Sequence, residues 1–470
     1  MRLLTPATYL TGARLKREIP GANLALTFAG VLLALSLVAA SSARAAGMLY
    51  IRGGGSGHGI GMSQYGADGY AQHGFSYTQI LSHYYTGTSL GQVAPGRTVR
   101  VLLADGGASF TGALAAGSIR LKATSTYAVS AAGARLQITG PGGARLGTPV
   151  SAPLTVTGPA PLMVPGLGHY RGSLQFRPDG RGGVETVNVV GLDDYVRGVV
   201  AAEMPSSWPA QALQAQAVAA RTYAITAQVG AAGYDLYSDT RSQAYGGVAA
   251  ETAPTDAAVA ATAGQVVTYA GRPVVTYFFA SSGGHTESVQ NVWNGATPEP
   301  WLTGVPDPYD GAGGDPYHQW TQQLSLPAAQ ARLGSRVRGR LVGITVTHHG
   351  LSPRILTAAV VGTAGTTTVS GADLQSVFGL PTTYAAFTAI TVTGGHGKLT
   401  GTVFPASAGR VSVQALGRSG GWQNLRRAAV SLRPALSRAA VPGRFTAAGL
   451  APGRYRITAG SLTGPTVTVS

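Results

Sequence analysis

Glycine and proline interrupt this 470-residue chain too often for long regular elements: 68 glycines and 27 prolines take about a fifth of the positions. Between these breaks, residues 97–190 alternate apolar and polar positions, as in Arg100-Val101-Leu102-Leu103-Ala104-Asp105 and Gly172-Ser173-Leu174-Gln175-Phe176. A period of two predicts short strands and hairpins there. Two stretches escape the punctuation and predict helices, at roughly 193–204 and 208–228, before mixed β character resumes to about 389. Residues 390–470 change texture. GTVFPASAGRVSVQAL, GRFTAAGLAPGRYRITAG and GPTVTVS read as short strands joined by turns, which predicts a separate small β-sandwich of immunoglobulin-like or carboxypeptidase-regulatory type. The expected class is α+β: a mixed, β-rich main domain with a few helices, plus the C-terminal sandwich.

Composition narrows the chemistry. No cysteine is present, which removes disulfide frameworks, thiol catalysis and cysteine-ligated metals together. The formal charge is +16, yet charged residues are only 11%. The excess reflects scarce acids, and no block of five like charges marks a nucleic-acid arm. Residues 1–46 read as an export signal: Arg14, Lys16 and Arg17 precede the apolar run 25–40, and Ala43-Arg44-Ala45 supplies a cleavage pattern. That run is a little short of the roughly 20 residues that span a bilayer, although a retained membrane anchor is the alternative. A secreted, cationic protein meets anionic cell-wall polymers before any nucleic acid.

The segment LDDYVRGVVAAEMP (192–205) opens on Asp193 and Asp194, which can cap helix amides. It must end before Pro205. Val196, Val199 and Val200 define its buried stripe, and Glu203, seven residues after Val196, lies on that stripe. Desolvation and the helix dipole both disfavour a carboxylate there. A pKa raised in this way suits a general acid. The competing explanation is that Glu203 caps the helix or pairs with Arg197 or Arg221. In the next helix Pro209 falls in the first turn, the alanines favour close packing, and Gln214 and Arg221 share a face. A core helix with a solvated edge has the same pattern.

Two loops could approach a ligand. Gly57-His58-Gly59-Ile60-Gly61-Met62-Ser63-Gln64-Tyr65-Gly66 surrounds one histidine with glycines, and Ser63, Gln64 and Tyr65 are able to bond or stack on a ligand. A tight structural turn would explain it equally. After it, Tyr77, Ile80, Leu81, Tyr84 and Tyr85 follow the spacing of a helix that needs a core. Ser281-Ser282-Gly283-Gly284-His285-Thr286-Glu287 suits a hairpin or close approach. It lacks the nucleophile elbow and acid partner of a Ser–His hydrolase.

YVRGVVAAEMPSSWPAQALQAQAVAARTYA (195–224) closely resembles the signature of the sporulation stage II protein D family, the SpoIID/LytB domain. So do SDTRSQAYGG (238–247), GQVVTYAGRPVVTYFFASSGGHTESVQNVW (264–293), PWLTGVPDPYD (300–310), SGADLQSVFGLPTTYAAF (370–387) and GSGHGIGMSQYGADGYAQHGFSYTQILSHYYTGTSL (55–90). The resemblance covers most of 48–390. It implies a peptidoglycan lytic transglycosylase acting on the MurNAc–GlcNAc bond, or, as in some members, a non-catalytic enhancer of a cell-wall amidase. Glu203 then matches the catalytic acid. Glycan strands are the implied partner, alongside anionic wall polymers and such an amidase. Arg221, Gln216, His58, Ser63, Gln64, Tyr245, Tyr277, Ser282 and Thr286 are the candidate substrate contacts. No metal and no cofactor is expected, because lytic transglycosylation needs one carboxylate where glycoside hydrolysis normally uses two.

The implied layout is a signal at 1–46, a catalytic domain at 48–389 and the β domain at 390–470. Within the catalytic domain, 48–90 is the GHGxGMSQ segment, 97–190 the β-rich part and 191–389 the catalytic helices with further strands. Three departures stand out. The GHGxGMSQ segment usually comes near the end of this domain, so its place here resembles a circular permutation. It should pack beside Glu203 and the SSGGHT turn, bringing residues 90 and 387 near one another. Gln214 stands where the family often has lysine. A Cys/His zinc site that some relatives place near 238–242 cannot form without cysteine.

Overall fold

The computed structural model describes residues 46–230, 233–406, 411–425 and 442–470, so the segment 1–46 expected to be an export signal lies outside the described residues except for Ala46. Among the described residues no helix is long and apolar enough to cross a membrane. Helices α1 (Gln64–Gln72), α2 (Tyr77–Tyr84), α3 (Leu192–Glu203), α4 (Ala210–Thr226) and α5 (Ala253–Ala261) form the helical centre. Helix α4 packs against the other four and against strand Gln265–Tyr269. Ala212, Ala215, Ala217, Ala219, Ala220 and Ala224 are therefore all fully buried. Alanines let neighbours close in on every side, so even Gln216, Arg221 and Thr222 are buried. Of the edge allowed by the sequence, Gln211 and Gln214 remain half-buried and only Ala210 is exposed.

Helix α3 buries Val196, Val199 and Val200, the expected stripe, and Tyr195 beside them. Its start differs from expectation. The N-cap is Gly191, with no side-chain cap, and Asp193 and Asp194 stand inside the first turn, where negative charge meets the positive end of the helix dipole. Helix α2 buries Ile80, Leu81 and Tyr84 as its spacing required, and Ser76 and Gln79 form a capping box at its start.

The alternating runs of 97–190 become antiparallel sheets. Strands Thr98–Asp105, Val184–Gly191, Ser173–Pro178 and Leu154–Thr157 are successive neighbours in a seven-stranded sheet, and Tyr127–Ala132 and Arg135–Thr139 belong to a four-stranded one. A five-stranded sheet has the order Trp320–Ser325, Ala46–Gly53, Ala385–Gly395, Lys398–Phe404, Gly443–Ala448. Ile51 lies opposite Phe387. The start of the described chain therefore meets residue 387 at residue 51 and not at residue 90. Leu90 instead pairs with Val267, because α1 and α2 carry the chain across α4 first.

Period-two alternation gives the five-stranded sheet two cores. Leu49, Ile51 and Phe387 join Ile344, Leu374 and Phe404 on one side, while Tyr50, Ile390 and Val392 join Val413, Ile457 and Val469 on the other. Strand Ala385–Gly395 runs unbroken through position 389/390, where the sequence suggested a division. The fold is α+β and β-rich.

Candidate active site

Glu203 ends α3, and Met204 turns extended (φ −129°, ψ 144°) ahead of Pro205. The half-buried carboxyl accepts the Ala244 N–H on Oε1 at 2.8 Å and Gln64 Nε2 on Oε2 at 3.3 Å. Burial raises its pKa above the usual carboxylate range, and the two donors offset only part of that rise. Neither alternative ion pair forms, because Arg197 faces Asp194 at 4.0 Å and Arg221 binds Asp193 at 2.6 Å. The phenols of Tyr195 and Tyr223 lie within electrostatic reach of Glu203, and burial raises the pKa of both.

The GHGxGMSQ segment is brought here by close backbone packing. Phe278 and Phe279 pair in parallel with Met62 and Ser63, and Ser56 bridges Ser281. Gly61 has φ +75°, and a Cβ there would stand 2.1 Å from the Tyr277 carbonyl, so only glycine fits. Ser63 caps α1: its Oγ accepts the Gly66 N–H at 3.1 Å and donates to Asp310 Oδ1 at 2.7 Å. Asp310 also accepts from Ser282 N (2.8 Å), Gly283 N (2.9 Å), Ser281 Oγ (3.2 Å) and His318 Nδ1 (3.1 Å). Burial would lift its pKa, but these donors hold it below the usual range. Asp310, Asp315 and His318 are the described residues whose ligand atoms converge, within 4.8 Å of one another. Asp315 is engaged by the Tyr317 N–H at 2.7 Å and by the Ser281 hydroxyl. Internal hydrogen bonds thus tie the set into a clasp that closes the loop onto α1.

Asp307 sits beside this clasp and accepts the Tyr84 hydroxyl at 2.8 Å. Burial, then the charge of Asp310, pushes its pKa from 3.8 to about 7. The folded protein therefore holds this proton more tightly than the unfolded chain does. That contribution is most favourable below about pH 4 and is lost as pH rises toward 7. Asp307→Asn should flatten the decline of Tm across that window, and an unchanged slope would contradict the assignment.

Several sequence candidates bond to groups other than Glu203. Arg221 has no exposed surface and bonds Asp193 and the carbonyls of Ala217 (3.3 Å), Val259 (3.4 Å) and Gln265 (3.1 Å). It is a strut joining α3, α4, α5 and strand Gln265–Tyr269. Arg221→Met should lower unfolding free energy in urea by about 3 kcal/mol, since several buried hydrogen bonds disappear together. A loss under ~1 kcal/mol would contradict the strut. Tyr245 is buried, packs on Tyr195 and gives its hydroxyl to Asn188 Oδ1 at 2.8 Å. Ser282 Oγ accepts the Gly284 N–H at 2.9 Å, and Thr286 Oγ1 accepts the Val305 N–H at 2.8 Å. His58 Nδ1 accepts the Ile60 N–H at 3.0 Å, and burial and Arg354 lower the ring pKa to about 4. Gln216 is fully buried, and neither of its amide atoms has a partner. It lies one turn before Ala220, whose carbonyl accepts Gln243 Nε2 at 3.4 Å.

Half-buried aromatic rings accompany the site. Tyr65 and Trp208 meet edge to face at 5.0 Å, Tyr223 and Tyr277 at 5.9 Å, and Tyr277 and Trp293 at 4.6 Å. Sequence reasoning missed Trp208, Tyr223, Trp293, Asp310 and the Ala244 amide. Trp208, five residues after Glu203, carried a visible signal, whereas a backbone N–H carries none. At 238–242 an Asp239–Arg241 ion pair at 2.8 Å occupies the loop.

Residues 180–269 match the family model described as stage II sporulation protein. That span holds α3, Glu203, α4 and the Ala244 loop. The chain carries a SpoIID-family domain. An uncharacterized protein of Brachyspira hyodysenteriae is 40% identical over 159 residues, which cover 33% of this chain and 42% of that protein. Stage II sporulation protein D of Bacillus subtilis is 31% identical over 214 residues, covering 42% and 60%. The amidase enhancer of Bacillus subtilis is 38% identical over 130 residues, covering 28% and 17%. The chain thus spans between 17% and 60% of the length of these three relatives. Gln64 and the aspartate clasp lie outside the matched SpoIID span and reach it only through the fold.

Proposed function

We propose that the protein is a secreted, cell-wall-associated lytic transglycosylase that cleaves the MurNAc–GlcNAc bond of peptidoglycan during wall remodelling. The Glu203 carboxyl carries this reading. Burial raises its pKa, two neutral donors hold it, and no ion pair engages it among the described residues. Glu203 gives its proton to the glycosidic oxygen as the MurNAc C1–O bond breaks and the GlcNAc hydroxyl leaves. The resulting carboxylate takes the proton of the MurNAc C6 hydroxyl. That oxygen bonds to C1, closes a 1,6-anhydro ring, and leaves Glu203 protonated again. Gln64 and the Ala244 N–H stabilise the carboxylate between the two transfers. Tyr65, Trp208 and Tyr277 offer ring surface to sugars. The positive charge favours retention on anionic wall polymers, and the C-terminal strands serve as a β-sandwich that holds the enzyme there.

The second reading is a non-catalytic enhancer of a cell-wall amidase, favoured by the likeness to a relative named amidase enhancer. A pure enhancer has no use for a carboxyl tuned toward protonation. Because the acid form reacts, kcat/KM should fall as pH rises through the raised pKa of Glu203. A rate that climbs with pH through neutrality would contradict the role of Glu203. Purified peptidoglycan incubated with the protein alone should release glycan fragments, with or without added amidase. Release only when amidase is present would favour the enhancer.

A further inference from the structure

Gln64 is only 7% exposed and directs its amide N–H to Glu203 Oε2, leaving little of it for a substrate. It is the first residue of α1, directly after the cap Ser63, which Asp310 holds at 2.7 Å. Asp310 is itself fixed by the Ser281–Gly283 turn and by His318. The chain of contacts therefore runs from a hydrogen-bonded loop through one capping hydroxyl to the glutamate. We propose that Gln64 is a positioning residue for Glu203, set in place by the Ser63–Asp310 clasp, whose amide steadies the carboxylate formed when the proton leaves. This rests on the proposed role of Glu203 as the acid.

A neutral donor suits that task. A cation in its place would strip the proton from the acid before reaction, while an apolar side chain would leave the carboxylate poorly solvated. The titratable groups facing Glu203 are Tyr195 on α3 and Tyr223 on α4. Asp68 stands one turn beyond Gln64 on α1 and is bonded to Gln72 at 2.9 Å. In the loop carrying Ala244, Asp239 and Arg241 neutralise each other. None of these supplies a positive charge to Glu203, which leaves hydrogen bonding as the local control.

The sequence holds six glutamates, at positions 18, 185, 203, 251, 287 and 299, so carboxyl-labelled glutamate gives a readable NMR titration. The Glu203 signal is assigned by its loss in Glu203→Gln. Gln64→Met should raise the Glu203 pKa by about one unit, as removal of one hydrogen bond to a charged group predicts. Gln64→Lys should lower it below wild type. A merely structural role would not move the two variants in opposite directions. An unchanged pKa in Gln64→Met, or a shift of the same sign in both, overturns the proposal. The falling limb of the kcat–pH profile should follow each titration. If the pKa values move as stated and that limb stays fixed, Gln64 keeps its positioning role and the assignment of Glu203 as the acid fails.

Discussion

Glu203→Gln is expected to reduce glycan cleavage by about 10²–10⁴ while leaving Tm equal to wild type or higher. The amide is isosteric, so Oε1 can still accept the Ala244 N–H. The new NH2 faces Gln64, whose amide can turn to present its oxygen. Only the transferable proton is lost. Stability should not fall, because a desolvated carboxyl with a raised pKa is a cost to the fold at neutral pH. A steady-state assay paired with thermal melts checks both halves. Retention of more than about a tenth of the activity would remove Glu203 from the mechanism. A large drop in Tm would show that the carboxyl is structural.

Removing residues 48–90 should abolish folding and not simply weaken activity. The deletion takes most of an interior strand from the five-stranded sheet, together with α1 and α2. Leu49, Ile51, Ile60, Met62, Ile80, Leu81, Tyr84 and Tyr85 are each at most 2% exposed. At roughly 1.5–3 kcal/mol apiece, their burial rivals the whole net stability of about 5–15 kcal/mol. Circular dichroism and solubility should report loss of the native state, and a folded, cooperatively melting deletion protein would contradict this architecture. Truncation at 390 is not benign either, although the sequence suggested a separable domain. It cuts strand Ala385–Gly395 and removes Phe404 from the core that Leu49 and Phe387 share.

The elements that could be read from sequence were those whose periodicity was local. The valine stripe of α3, the apolar spacing of α2 and the alternation in 173–178 each state their own geometry. The Glu203 site was half legible. Its glutamate stands on a readable helix, but its hydrogen-bond partners come from residue 64 and from a backbone amide at 244. Long-range contacts of that kind leave no spacing signal. Arg221 misled for a related reason. An arginine on an alanine helix looks solvated until α5 and strand Gln265–Tyr269 supply the carbonyls that bury it. The 389/390 division looked natural because turn-rich texture begins there, yet a strand continues through it and pairs with residues from the start of the chain.

The claim that Glu203 drives an intramolecular ring closure, with no water consumed, is tested most directly by digesting purified peptidoglycan in water enriched in the heavy oxygen isotope. Mass spectrometry of the released fragments should find 1,6-anhydro MurNAc ends carrying no heavy oxygen, and Glu203→Gln should produce none of them. Reducing MurNAc ends labelled with heavy oxygen, or intact glycan strands, would contradict the account.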